Sequence, residues 1–236
     1  MLTFALGSIP IRVHLSFWIT AAMLGVSGNP KPADLALWVA GVFVSVLLHE
    51  LGHALMGKVF DLAPQIELYA FGGGTSWQGG NELSSGPRIL VSLAGPLAGL
   101  ALAGVLYFTA LSLADGDGMS PVVDRFVNNM LWINLVWSIF NLLPILPLDG
   151  GNVMAHTLAA FTDGGGRRAA HVISIVVAAA IALYMFVRGG LGNIFPIVFL
   201  ALFAVQNAKA LGAIRDAGRP GAPSHRPGNR GDFPAG

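Results

Sequence analysis

Apolar residues run along the chain in six long blocks, near 15–28, 35–60, 87–113, 121–143, 170–187 and 191–211. Each approaches the roughly 20 residues that carry a helix across about 30 Å of hydrocarbon. Pro30 and Pro32 separate the first two blocks, "ADGDGMSP" separates the third and fourth, and "GG" at 189–190 separates the last two. The fourth block is the least uniform, because it holds Asn128, Asn129 and Asn134. Two stretches follow a different period. "MLTFALGSIPIRV" alternates around Pro10 and predicts short strands at a membrane interface. "QIELYAFGGGTSWQGG" sets Gln65, Glu67 and Tyr69 against Ile66, Leu68 and Ala70 and then reaches three glycines, which predicts a strand followed by a turn beside the end of the second block. No internal repeat is visible.

Composition agrees with this pattern. Of the 236 residues 54% are hydrophobic and only 11% charged, against about a quarter charged in a soluble globular protein. So few charges cannot cover a water-facing surface, and the apolar blocks read as spans. With the N-terminus placed in the cytoplasm, Arg12, Lys58, Arg88, Arg167, Arg168, Lys209, Arg215, Arg219, Arg226 and Arg230 fall on the inner side and only Lys31, Arg125 and Arg188 outside. That is the asymmetry of the positive-inside rule. Arg12 follows rather than precedes the first apolar stretch, and no small-x-small site comes after the next one, so no cleavable signal is expected. A net charge of +1 gives no case for nucleic acid. Cysteine is absent, so any metal must be held by nitrogen and oxygen. Residues 1–212 read as one membrane-embedded domain, and 213–236, rich in Gly, Pro and Arg, as a flexible cytoplasmic tail.

The chemistry lies in "VSVLLHELGHALMG", residues 44–57. His49 and His53 stand four apart and share a helix face, so two imidazoles can aim at one ion. H-E-x-x-H is a zinc-site pattern in which the Glu is general base rather than ligand. Glu50 is the acidic residue deepest within a long apolar run, where a charge costs roughly 2.5–3.5 kcal/mol on insertion scales. A bound cation would compensate it; polar pairing between neighbouring helices is the structural alternative. His49 precedes Phe60 by eleven residues, which puts it about 16 Å from the inner end of the helix. A catalytic zinc site usually takes three protein ligands. His156 and His171 lie around a loop and His225 in the tail, while His14 reads as a satisfied interfacial histidine. The better third ligand is Asp149, at the end of "FNLLPILPLDGGNV", where Pro144 and Pro147 forbid regular helix and "DGG" suits a sharp turn.

Together, "HELGH" and "FNLLPILPLDGG" resemble the paired motifs of the site-2 protease family of intramembrane zinc metalloproteases. "IPIRVHLSFW", "FGGGT" and "SLAGPLAG" are similar to its N-terminal, strand and third-span segments, so the likeness covers most of residues 8–153. The resemblance implies one zinc per chain on His49, His53 and Asp149, Glu50 as the base that activates water, and Asn141 as a residue holding substrate or oxyanion. It implies a transmembrane protein substrate, bound by strand addition near residues 65–71, and a small membrane-associated β-sheet or hairpin near the active site of an otherwise all-α polytopic protein with about six transmembrane helices. The expected setting is a cell (inner) membrane with both termini cytoplasmic. Gly95 and Gly99 match a small-residue motif that close helix packing explains equally well. Two departures stand out: L-D-G-G replaces the frequent N-P-D-G, and there is no room for the PDZ or nucleotide-sensing domains that some members carry. A catalytically inactive membrane-protein-binding relative and a divalent-metal transporter are the rival readings; a transporter would spread its ionisable groups along a path.

Overall fold

The computed structural model describes residues 1–26, 30–70, 72–78, 83–114, 120–162, 165–190 and 194–217. The alternating N-terminal stretch forms a hairpin, β1 (Leu2–Leu6) and β2 (Ile9–Val13), in register Leu2 opposite Val13. β2 then pairs in parallel with β3 (Ala63–Tyr69), and β3 antiparallel with β4 (Gly72–Gln78), giving the order β1-β2-β3-β4. Ile9, Ile11, Val13, Ile66 and Leu68 fall on one face by the strand period of two and are buried with Phe17, Val46 and Ala54 of the adjoining helices. Pro10 lies outside the stretch Ile11–Val13 that pairs with β3, so its missing N–H breaks no bond there.

This order corrects the expected docking strand. β3 is interior, with residues 66–68 paired to β2 and 63–69 paired to β4, so its backbone has no free edge for an added strand. Among the described residues the sheet's open edge on that side is β4. Phe71, the last residue of the expected segment, lies outside the described residues.

Among the described residues seven helices follow the apolar blocks: α1 (Leu15–Gly25), α2 (Pro32–Val59), α3 (Ser85–Ala114), α4 (Pro121–Asn141), α5 (Asp149–Phe161), α6 (Gly166–Gly189) and α7 (Ile194–Ala217). Four of them, α2, α3, α6 and α7, are long and apolar enough to cross a membrane. α1 is 11 residues, about 16 Å, roughly half a bilayer core. α4 has the length at 21 residues, but Asn128, Asn129 and Asn134 dilute its hydropathy. Buried Asn134 bonds Ser45 of α2 (2.8 Å) and its own Met130 carbonyl (2.7 Å), so one of these asparagines ties two helices together.

α4 stops at Asn141, and residues 142–148 are not helical, as the two prolines require. The Leu146–Pro147 bond is cis. The chain does not turn at "DGG": Asp149, Gly150 and Gly151 are the first turn of α5, both glycines buried against the backbone of Leu142, Leu143 and Ile145. The turn is made one step earlier, by the proline segment itself. α7 continues to Ala217, past the expected start of the tail; residues 218–236 lie outside the described residues.

Candidate functional site

α2 and the start of α5 bring three side-chain donors to one point. His49 Nε2 lies 3.1 Å from Asp149 Oδ2, His53 Nε2 lies 3.3 Å from the same oxygen, and the two Nε2 atoms are 3.2 Å apart. These residues are a hundred positions apart in sequence, yet both histidines are buried and Asp149 nearly so. Four ligands at 2.0–2.1 Å in a tetrahedron lie about 3.3–3.4 Å from one another, so the observed triangle has the size of one tetrahedral face. The hydrogen bonding agrees. His53 Nδ1 donates to the Val91 carbonyl at 2.7 Å, an atom that can only accept, so in the neutral ring Nε2 keeps its lone pair for the centre. Fixing the far ring nitrogen in this way is the usual support of a ligating histidine. His49 departs from it, since its Nδ1 is buried with no hydrogen-bond partner among the described residues. The three residues can hold one metal ion, and two imidazoles with one carboxylate suit zinc.

Glu50 is next to the triangle rather than part of it. Its Oε2 accepts a hydrogen bond from the Thr75 hydroxyl at 2.8 Å, and the same hydroxyl lies 3.1 Å from the Glu50 carbonyl. Thr75 belongs to β4, so the sheet edge and the carboxylate are joined directly. At Gly73 of the same strand any Cβ would collide with the Glu50 carboxylate, and at Gly95 of α3 any Cβ would collide with the His53 ring. Trp137 of α4 sets its ring edge-on to His49, with centroids 6.4 Å apart.

A cavity of about 650 Å³ opens over these groups, bounded by β4 on one side and by Asn141, Asp149 and Phe203 on the other. Asn141 borders it with its Nδ2 donating to the Trp137 carbonyl at 2.9 Å. His156 and Arg88 line a further part. Burial, with Arg88 and Arg167 nearby, holds the His156 imidazole below its ordinary range, so it stays neutral near pH 7. His14 stands apart, half-exposed and 3.8 Å from Glu67 at the sheet surface, as expected of an interfacial histidine.

All five residues expected at the site, His49, Glu50, His53, Asn141 and Asp149, border this one cavity. Reading the sequence missed their supports: Thr75, the Val91 carbonyl, Trp137 and the close packing at Gly73 and Gly95. The signal for two of them was present in "FGGGT" and "SLAGPLAG", where small residues mark places that something must approach closely.

Residues 111–187, which include Asn141 and Asp149, match a family model described as Peptidase family M50. Rip3 of Mycobacterium tuberculosis is 30% identical over 215 residues, covering 86% of this chain and 54% of its own length. A zinc metalloprotease of Methanocaldococcus jannaschii, MJ0392, is 25% identical over 207 residues, covering 87% and 58%. The chain spans about half the length of the curated relatives it matches. A solved structure, the site-2 protease from Methanocaldococcus jannaschii, is similar with a TM-score of 0.59 at 24% identity, over 89% of this chain and 94% of that one, which shows the shared fold.

Proposed function

We propose that this chain, which is similar to the peptidase family M50 metalloproteases, is an intramembrane zinc metalloprotease, hydrolysing peptide bonds within or near the transmembrane segments of membrane-protein substrates. The observation that carries the reading is the three-donor triangle with a separate carboxylate, Glu50, over the same cavity. A transporter would have no use for an acidic group outside the donor triangle, oriented by a threonine. Zinc, when bound, supplies a Lewis acid that brings the pKa of water towards neutrality and polarises a carbonyl. His49, His53 and Asp149 are its ligands.

Glu50 is the general base. With Oε2 engaged by Thr75, Oε1 takes the proton of the attacking water. The water oxygen then bonds to the carbonyl carbon, the C–N bond breaks, and Glu50 returns the proton to the departing amine. Asn141 donates the remaining Nδ2 hydrogen to the developing oxyanion. The substrate docks as an extended strand on β4 rather than on β3, because β4 has the available edge and Gly73, Gly74, Thr75 and Trp77 line the cavity. We further infer a cell (inner) membrane location with both termini cytoplasmic, α4 and the stretch from α1 to the start of α2 completing the crossings made by the four long helices.

The test is zinc content and cleavage together, on protein purified in detergent. Wild type should carry about one zinc and cut a transmembrane peptide. Glu50→Gln should keep the zinc while cleavage falls about 10²–10⁴-fold, and Asp149→Ala should lose zinc. Loss of zinc from Glu50→Gln would make Glu50 a ligand and sink the assignment. Full zinc with no cleavage of any transmembrane peptide would favour the inactive relative.

A further inference from the structure

The segment that delivers Asp149 is irregular backbone at membrane depth, where every N–H and C=O needs a partner inside the protein. Most of its groups find one nearby: Leu143 N–H on Phe140, Ile145 on Leu143, and Leu148 on Ile145. Leu146, three residues before Asp149, does not. Its N–H donates to Ser174 Oγ of α6 at 2.9 Å, and its carbonyl accepts from Asn207 Nδ2 of α7 at 2.6 Å. One residue is thus gripped on both polar groups by two different helices.

Both grips are fully determined. Ser174 gives its own hydrogen to the Ala170 carbonyl at 2.8 Å, so its oxygen is left to accept from Leu146. Asn207 spends its two amide hydrogens on Leu146 and on Phe203, the latter at 2.8 Å, and its Oδ1 lies 2.7 Å from His171 Nδ1. A flipped amide would turn its oxygen onto two carbonyls, so only one orientation works. His171 therefore donates from Nδ1 and fixes the amide from behind. Ser174 and Asn207 are buried at 0% and 2% exposure. Around the polar grip, Ile145 and Leu148 pack with Ala178 of α6 and Leu200 of α7.

We propose that Ser174, Asn207 and His171 are positioning residues for the metal site, acting on Asp149 through Leu146. The inference rests on Asp149 being a ligand and extends that reading to the two helices that carry no recognisable motif. An aspartate on a short helix that follows a proline-broken segment has no stiffness of its own. Pinning Leu146 sets where α5 begins, and so where Oδ2 stands relative to the two imidazoles.

The experiment uses the full chain in detergent. Zinc affinity is measured by competition with a chelator, and the visible spectrum is recorded after Co²⁺ loading. Asn207→Asp keeps the shape but presents an acceptor to the Leu146 carbonyl; Ser174→Ala removes the other grip more gently and carries the test if the first variant does not fold. The expected result is zinc affinity about ten- to a hundredfold weaker, with a Co²⁺ spectrum changed from wild type. Variants that lose thermal stability yet bind zinc within about twofold of wild type, with an unchanged Co²⁺ spectrum, overturn the inference alone. A wild type that binds neither ion overturns the metal reading, and this inference with it.

Discussion

Thr75 is the residue whose role can be separated most cleanly from folding and from metal binding. It lies half-buried on strand β4, and its hydroxyl bonds the Glu50 side chain and carbonyl. Thr75→Val keeps the β-branched shape and removes a hydrogen bond to a charged group, worth about 1.5–3 kcal/mol. If Glu50 is the base, zinc content should stay at wild type while the cleavage rate falls about ten- to a hundredfold; an unchanged rate would mean the carboxylate needs no such orientation. The contrast between Thr75 and its neighbours shows what a sequence can disclose at this scale. His49, Glu50 and His53 are legible because helical spacing makes their geometry local. Thr75 reaches Glu50 across 25 positions and the Val91 carbonyl reaches His53 across 38, and no local pattern encodes such meetings. Gly95 was visible as a packing glycine, but that it packs against the His53 ring was not.

At the level of elements, the prolines correctly marked the break after α4, and alternation correctly marked the strands. Alternation says which face is buried but not which neighbour a strand takes, and the two sides of β3 are filled by strands from before α2 and after the turn. The helix α5 was hidden because 13 residues beginning Asp-Gly-Gly look like a turn; buried small residues serve a close contact equally well. Docking on β4 carries its own expectation. A transmembrane helix must open before its backbone can pair with a strand, so its helix-weakening residues should govern the rate. Replacing two glycines near the cleaved bond by alanine stabilises the helix by about 2 kcal/mol and should slow cleavage roughly tenfold or more. Equal rates for both peptides, followed by mass spectrometry, would argue against pairing on β4.

For the whole molecule, the membrane class was plain from hydropathy, while the number of crossings was not, because length in residues does not say where a helix starts. The chain enters α1 only after the β2 strand, and ends it by Gly25. The ends of α2 are nevertheless tied to recognisable sides. Arg125 Nε is 3.4 Å from Asp34, which brings the starts of α4 and α2 together, and Lys58 Nζ donates to Ser8 at 2.8 Å, which places the hairpin turn at the opposite end. With no native cysteine, single cysteines report sidedness directly. Lys31→Cys and Arg125→Cys should react with an impermeant maleimide on intact cells, and Arg168→Cys only after permeabilisation; the reverse pattern would invert the topology. The grip on Leu146 has a consequence in time as well as in space. During synthesis Glu50 and both histidines are made long before Asp149, and Asn207 is made later still. A nascent chain therefore sits in the bilayer, surrounded by the helices of other proteins, with Glu50 and both histidines in place and Asp149 either unmade or unanchored. On the proposed reading, cleavage of bystanders is deferred until α7 has been inserted and Leu146 is held.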